Sequence, residues 1–230
     1  MTAPDLPTRL RALGLLHIAE HLNDIVALAT KKRMSPVEIV EHIVALEEAD
    51  RARRSLERRT QRSRLSRFKP MSDFDWNWPT KIDREAVESA VALDFLEERR
   101  NVVLVAPQGL GKTMIAQNIA HQAILTGYSV LFVTAAQVLL DLRAQESARA
   151  LERRLKHYAS IGLLVMDEIG YLAFSDWPTI FPSATSAIAL IDRVVHHADV
   201  LSIEGKSYRL REAEEAKRKP RPTKPKKPRS

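Results

Sequence analysis

The chain opens on helical periodicity. Leu15, Ile18, Leu22, Ile25 and Ala29 recur at three- and four-residue intervals and form one apolar stripe. A second helix is announced by Ser35, with Pro36 at its first position and Glu38 completing an S-x-x-E capping box, and its apolar face continues through Ile39, Ile43 and Leu46. Nothing breaks it before the arginine-rich stretch that follows, where Leu56 is the only large apolar residue before Leu65, so that stretch is expected to project as exposed helix. From Lys69 to Pro79 the pattern dissolves into turn formers and aromatics, a linker, after which Asp83 is placed to cap a helix running through Arg99. Then the period changes. Val102–Val105 reads as a strand, Lys112 to about Thr126 as a helix closed by Gly127, Ser129–Thr134 as a strand, Ala136 to about Tyr158 as helical, and Leu163–Met166 as a buried strand. A β-loop-α-β-α-β order requires parallel strands joined by right-handed crossovers, hence an α/β sheet flanked by helices and preceded by a small all-helical module. Three regions are expected: residues 1–69, residues 70–211 and residues 212–230.

Composition narrows the class. The 230 residues, 45% of them hydrophobic, suffice for one full core and a smaller appendage. Without cysteine there is neither a disulfide framework nor a thiolate metal site, which suits a reducing cytoplasm. No stretch approaches a membrane span, and the N-terminus lacks a continuous apolar leader segment, so the expectation is a cytoplasmic protein with no membrane contact. The net charge of +7 is unevenly spread. Eight basic and no acidic residues lie between Lys217 and Arg229, where four prolines exclude helix and strand. Nine more basic residues, against the single acid Glu57, lie between Arg51 and Lys69. Such blocks attract nucleic-acid backbones by counterion release, which makes Arg53, Arg54, Arg58, Arg59 and Arg62 candidate DNA contacts; a solvated helix face is the competing reading.

The chemistry is concentrated at Ala106-Pro107-Gln108-Gly109-Leu110-Gly111-Lys112-Thr113, which follows a strand and opens a helix. That context aims several backbone N–H groups and a helix dipole at one point, where a polyphosphate fits. Gly109 and Gly111 let the backbone approach the phosphates, Lys112 reaches the β and γ phosphates, and the Thr113 hydroxyl suits magnesium. Ala106 stands where such loops usually begin with glycine, a change tolerable while its φ stays negative. The second element is the strand Leu163–Met166 delivering Asp167 and Glu168 at its C-terminal end, where ligands of open α/β sheets bind. Asp167 is the candidate magnesium ligand and Glu168 the group that polarises an attacking water. ATP and Mg2+ are the cofactors expected.

Asn101 through Thr113, Gly127-Tyr128-Ser129, Leu163 through Leu172 (LLVMDEIGYL), Asp192 through His197 and Gly205-Lys206-Ser207-Tyr208-Arg209 together resemble the IstB-like transposition helper ATPases. The likeness runs from the N-terminal helices to about Arg211, and DEIGYL, DR-x-x-HH and G-x-SYR are more specific than a phosphate loop alone. These proteins are similar to the DnaC helicase loaders, and both are of the AAA+ class. The resemblance implies an ATPase of a bacterial insertion sequence that assembles on DNA as a homo-oligomer and assists a separate transposase. It further implies that the Phe74–Trp76 region borders the adenine, for which simple packing of the linker is the alternative, and that Arg193 is an arginine finger acting in trans, in place of an ordinary surface ion pair.

The chain departs from that pattern in one place. In relatives DEIGYL is followed by a helix and a strand ending in a polar sensor residue, whereas here Phe174 runs directly into Ser175-Asp176-Trp177-Pro178, so that about thirty residues are missing and only Val200–Ile203 reads as a further strand. In the AAA+ arrangement that the resemblance implies, the lost strand is the central one, between the phosphate-loop strand and the Asp167 strand. Its absence is expected to leave a gap or force those strands together, at a cost comparable to a total stability of about 5–15 kcal/mol. An internally deleted copy that binds ATP but hydrolyses it poorly is therefore expected. A helicase-loader role in replication and a non-catalytic DNA-binding adapter are the alternatives.

Overall fold

The structure, a computed structural model, describes residues 4–169 and 198–208. The chain divides into a unit of residues 1–61 and a unit beginning at Arg62, so residues 62–69 group with the second unit and not with the helical module.

Three helices make up the first unit: α1 (Leu6–Ala12), α2 (Leu16–Lys32) and α3 (Pro36–Arg62). The α2 stripe is buried at Ile18, Ala19, Ile25 and Ala29. The capping box at the start of α3 forms, with Glu38 N–H donating to Ser35 Oγ (3.3 Å) and Ser35 N–H donating to Glu38 Oε2 (2.6 Å). Sequence periodicity overlooked α1, whose N-cap is Asp5, accepting from Thr8 N–H at 3.1 Å.

The second unit carries α4 (Arg84–Ala92), α5 (Asp94–Glu97), β1 (Asn101–Val105), α6 (Lys112–Leu125), β2 (Val130–Thr134), α7 (Ala135–Arg143), α8 (Ala148–Ala159), β3 (Leu163–Asp167) and β4 (Ala198–Ser202). Asp83 caps α4 by accepting from Ala86 N–H at 3.0 Å, but the expected single helix to Arg99 breaks at Leu93, which is buried with φ +76. The helical region after β2 also divides, because Ser147 starts a new helix by accepting from Ala150 N–H at 3.2 Å.

Among the described residues both strand ladders are parallel, as the connectivity requires, and they are separate from each other. One pairs β1 with β4, from Asn101 opposite Ala198 to Val105 opposite Ser202. The other pairs β2 with β3, from Val130 opposite Leu163 to Thr134 opposite Asp167. Among the described residues no ladder joins β1 to β3. Helix α6 packs against strands of both sheets and buries Ile115, Ile119, Ala120, Ala123 and Ile124. The strand β2 is mostly buried, whereas β1 and β3, as apolar in sequence, remain half-buried, with Val105 51% and Met166 39% exposed. Ser63, fully buried, extends the β2 side of the unit by accepting Phe132 N–H through its carbonyl at 2.7 Å.

A polar cluster ties α7 to α8. Asp141 Oδ2 accepts from the Arg154 guanidinium and from Tyr158 OH (2.8 Å), and the guanidinium carbon lies 5.1 Å from the Tyr158 ring centre. Burial alone would push the Asp141 carboxyl up, but the hydrogen bonds from Arg154 and Tyr158 and the charges of Arg154 and Arg64 outweigh it and hold it below the ordinary value. The stabilisation this pairing provides is therefore complete above the unfolded carboxylate value of about 3.9 and is lost as pH falls through the lower folded one. Urea midpoints measured from pH 7 to pH 3 are expected to fall more steeply for the wild type than for Asp141→Asn, which starts lower and is flatter; parallel curves would contradict this.

Candidate nucleotide site

The strand β1 ends at Val105 and α6 starts at Lys112, and the intervening loop turns back on itself at two glycines. Gly109 has φ +77 and Gly111 φ +88, the left-handed region in which side chains are strained. Gly111 is excluded from substitution twice over, because a Cβ there would stand 2.6 Å from Phe74 Cε2. Leu110 anchors the loop from beneath, only 2% exposed. Lys112 Nζ donates to the carbonyls of Ala106 (2.5 Å) and Pro107 (2.9 Å), so its ammonium lies over the start of the loop. Pro107 and Gln108 are exposed at the rim.

The two chemical motifs meet across the two ladders. Thr113 Oγ1 donates to Asp167 Oδ2 at 2.9 Å, bringing the first turn of α6 to the end of β3. The other oxygen, Asp167 Oδ1, accepts Glu168 N–H at 2.8 Å. Glu168 is exposed with φ +62, uncommon for a residue with a side chain and of the kind that clusters at functional turns. A hydroxyl and a carboxylate form an oxygen donor set suited to a hard divalent cation, and the glycine loop with its lysine is suited to phosphate, so the residues present fit both expected cofactors.

The linker aromatics pack on this loop. Phe74 is buried against Gly111 and meets Trp76 edge-on at 4.8 Å between ring centres, while the Arg84 guanidinium lies 4.8 Å from the Trp76 ring centre. Asn118 of α6 ties the linker down, donating to the Lys69 carbonyl at 2.9 Å and accepting Met71 N–H at 3.1 Å. These contacts are what linker packing requires. Arg193, the junction after Phe174 and the basic tail of residues 212–230 lie outside the described residues.

The arginine-rich part of α3 is not one-sided in charge. Two carboxylates one turn upstream, Glu47 and Asp50, are each 7% exposed and reach it through i, i+3 and i, i+4 geometry. Arg53 pairs with Asp50 (2.6 Å) and Glu57 (2.8 Å), and Arg54 with Asp50 (2.7 Å) and Glu47 (3.5 Å). The Arg53 hydrogen bond, assisted by the charges of Arg54 and Arg53, holds the Asp50 carboxyl below its ordinary value against a smaller opposing effect of burial. Arg59 donates to Ser55 Oγ at 2.7 Å. Arg58 and Arg62 are exposed and have no acidic partner among the described residues.

A strand, a glycine-bearing loop, a helix N-terminus and a carboxylate from a parallel strand converging on one point define a phosphate-loop α/β protein. The chain matches the family described as IstB-like ATP binding protein over residues 8–176 and 172–216. A Pseudomonas aeruginosa protein named as an ATP-binding protein of insertion sequence IS21 is 30% identical over 241 aligned positions, covering 92% of this chain and 91% of that one. A Bacillus thuringiensis protein named for insertion sequence IS232 is 30% identical over 90% of this chain and 94% of its own. A Geobacillus stearothermophilus protein named for IS5376 is 26% identical over 87% and 91%. The chain belongs to the IstB-like ATP-binding proteins of insertion sequences. The alignment with the Pseudomonas protein is longer than the 230 residues of this chain, so that relative has residues with no counterpart here.

The crowding at Gly111 yields a test. Gly111→Ala is expected to lower stability by about 1–3 kcal/mol and to weaken nucleotide binding, read by urea unfolding and by titration with a fluorescent ATP analogue. Phe74→Leu in the same chain relieves the clash but not the positive φ, so recovery is partial. Unchanged affinity in Gly111→Ala would contradict the tight loop geometry described.

Proposed function

We propose that this chain is an ATP-binding accessory protein of DNA transposition, of AAA+ type, in which loss of an internal segment leaves nucleotide binding in place and impairs hydrolysis. The observation that carries the proposal is the 2.9 Å contact between Thr113 and Asp167: both halves of a phosphate-loop site come together although their strands belong to different ladders. Membership of the family and the insertion-sequence names of the relatives support the biological setting.

Each residue has a role in that reading. The backbone N–H groups between Gly109 and Thr113 cradle the phosphates, and Lys112 leaves the Ala106 and Pro107 carbonyls for the β and γ oxygens. Magnesium, held by Thr113 and Asp167, would neutralise the charge of the phosphates. Glu168 orients the attacking water, and Arg193 completes the site of a neighbouring subunit in a homo-oligomer. Hydrolysis demands that Glu168 and Lys112 be fixed relative to each other, and an error of about 1 Å in such an arrangement costs on the order of 100-fold in rate. Among the described residues the two ladders are joined through α6, and helix packing holds that spacing less firmly than strand pairing would. The split of the family match at residues 172–176 and the length of the alignment support an internal deletion. DNA is gripped through its backbone by Arg58 and Arg62 and by the basic tail; Arg53, Arg54 and Arg59 serve mainly the helix itself. The partner is the transposase of the same element.

Binding to a duplex of arbitrary sequence, measured with and without ATP and magnesium, tests the reading. The wild type is expected to bind more tightly with ATP, and Lys112→Ala to bind equally in both conditions. A wild type indifferent to ATP would leave a DNA-binding adapter as the correct description.

A further inference from the structure

The family motif near the end of the described chain, Gly205-Lys206-Ser207-Tyr208, has no role in the site as derived so far, yet it lies against the phosphate loop. Tyr208 N–H donates to the Gly109 carbonyl at 3.0 Å, so a backbone group almost a hundred residues away in sequence fixes one of the two glycines on which the loop turns. Tyr208 is in turn held by Trp78, the two rings meeting edge-on with centres 5.7 Å apart and an interplanar angle of 85°. The Trp78 indole N–H also donates to the Lys206 carbonyl at 2.8 Å, closing the contact from both sides.

The rest of the segment is fitted just as closely. Ile203 N–H donates to the Val105 carbonyl (2.8 Å), Thr80 N–H to the Glu204 carbonyl (2.9 Å) and Glu204 N–H to the Lys81 carbonyl (2.9 Å). Gly205, at φ +150, lies so near the Pro79–Thr80 backbone and Leu110 that a Cβ would come within 3.2 to 3.3 Å of them. The linker and the segment after β4 thus form a two-part clasp, with Leu110 beneath it and Gly109 bonded to it.

We propose that Trp78 and Tyr208 are positioning residues for nucleotide binding, holding the Gly109 turn in the phosphate-accepting conformation. The proposal rests on the nucleotide-binding reading above. An open carbonyl at Gly109 lets its peptide rotate, and a rotated peptide would aim C=O where N–H is needed. A loop that spends only a fraction of its time competent binds with affinity reduced by that fraction.

The test compares the wild type with Trp78→Ala, Trp78→Phe and Val138→Ala. Val138 is buried beside Leu131 and Val133 in a core cluster away from the clasp, so its substitution lowers stability without touching the loop. Affinity for ATP is measured well below each unfolding midpoint, and hydrogen exchange of the 106–113 peptide is followed without nucleotide. Trp78→Ala is expected to weaken ATP binding about tenfold or more and to speed exchange in that peptide, with Trp78→Phe intermediate because it keeps a ring but loses the N–H. Val138→Ala is expected to bind like the wild type. Equal affinity and equal exchange in wild type and Trp78→Ala overturn the proposal, as does an affinity loss in Val138→Ala matching that in Trp78→Ala, since general destabilisation would then explain both. A wild type that binds no ATP overturns the function proposed above, a distinct outcome read from the wild type alone.

Discussion

The site depends on one constraint: the first turn of α6 must face the end of β3, and Thr113 and Asp167 meet there at 2.9 Å. In a continuous sheet, hydrogen-bonded ladders would set that distance. Here, among the described strands, no ladder joins β1 to β3, and the distance is set by α6 packing on strands of both sheets. Helix burial is strong but non-directional; ladder hydrogen bonds fix register as well as proximity. Among the described residues the arrangement brings the two motifs together through helix packing, and the proposed separation of nucleotide binding from hydrolysis rests on that difference.

The phosphate loop is constrained differently. Positive φ at Gly109 and Gly111, the buried Leu110, Phe74 against Gly111 and Tyr208 N–H on Gly109 fix it from several directions. None of these contacts requires β1 to pair with β3. Such preorganisation lowers the ordering cost of binding a phosphate group.

Much of this was legible in the sequence. The strand–glycine–helix grammar located residues 106–113, the apolar run before Asp167 located the second carboxylate strand, and Ser35 and Glu38 announced their capping box. These signals are local. The helix break at Leu93 was not legible, because a left-handed turn there is held by burial and not by glycine. The balance of charge on α3 was misjudged because Glu47 and Asp50 lie just outside the arginine block yet within a helical turn of it. The clasp between Trp78 and the Lys206 carbonyl spans 128 residues of sequence, and no local pattern encodes such a pairing, although the aromatic linker and the G-x-SYR motif both marked its parts.

The central claim is the proposal that nucleotide binding survives loss of an internal segment while turnover does not. It is tested most directly by single-turnover ATP hydrolysis, with ATP affinity measured alongside, in this chain and in one carrying the corresponding segment of a full-length relative inserted after Phe174. The account predicts ATP binding in both proteins, with hydrolysis in the restored chain faster by about 100-fold. Hydrolysis by the present chain at the rate of an intact relative would contradict it.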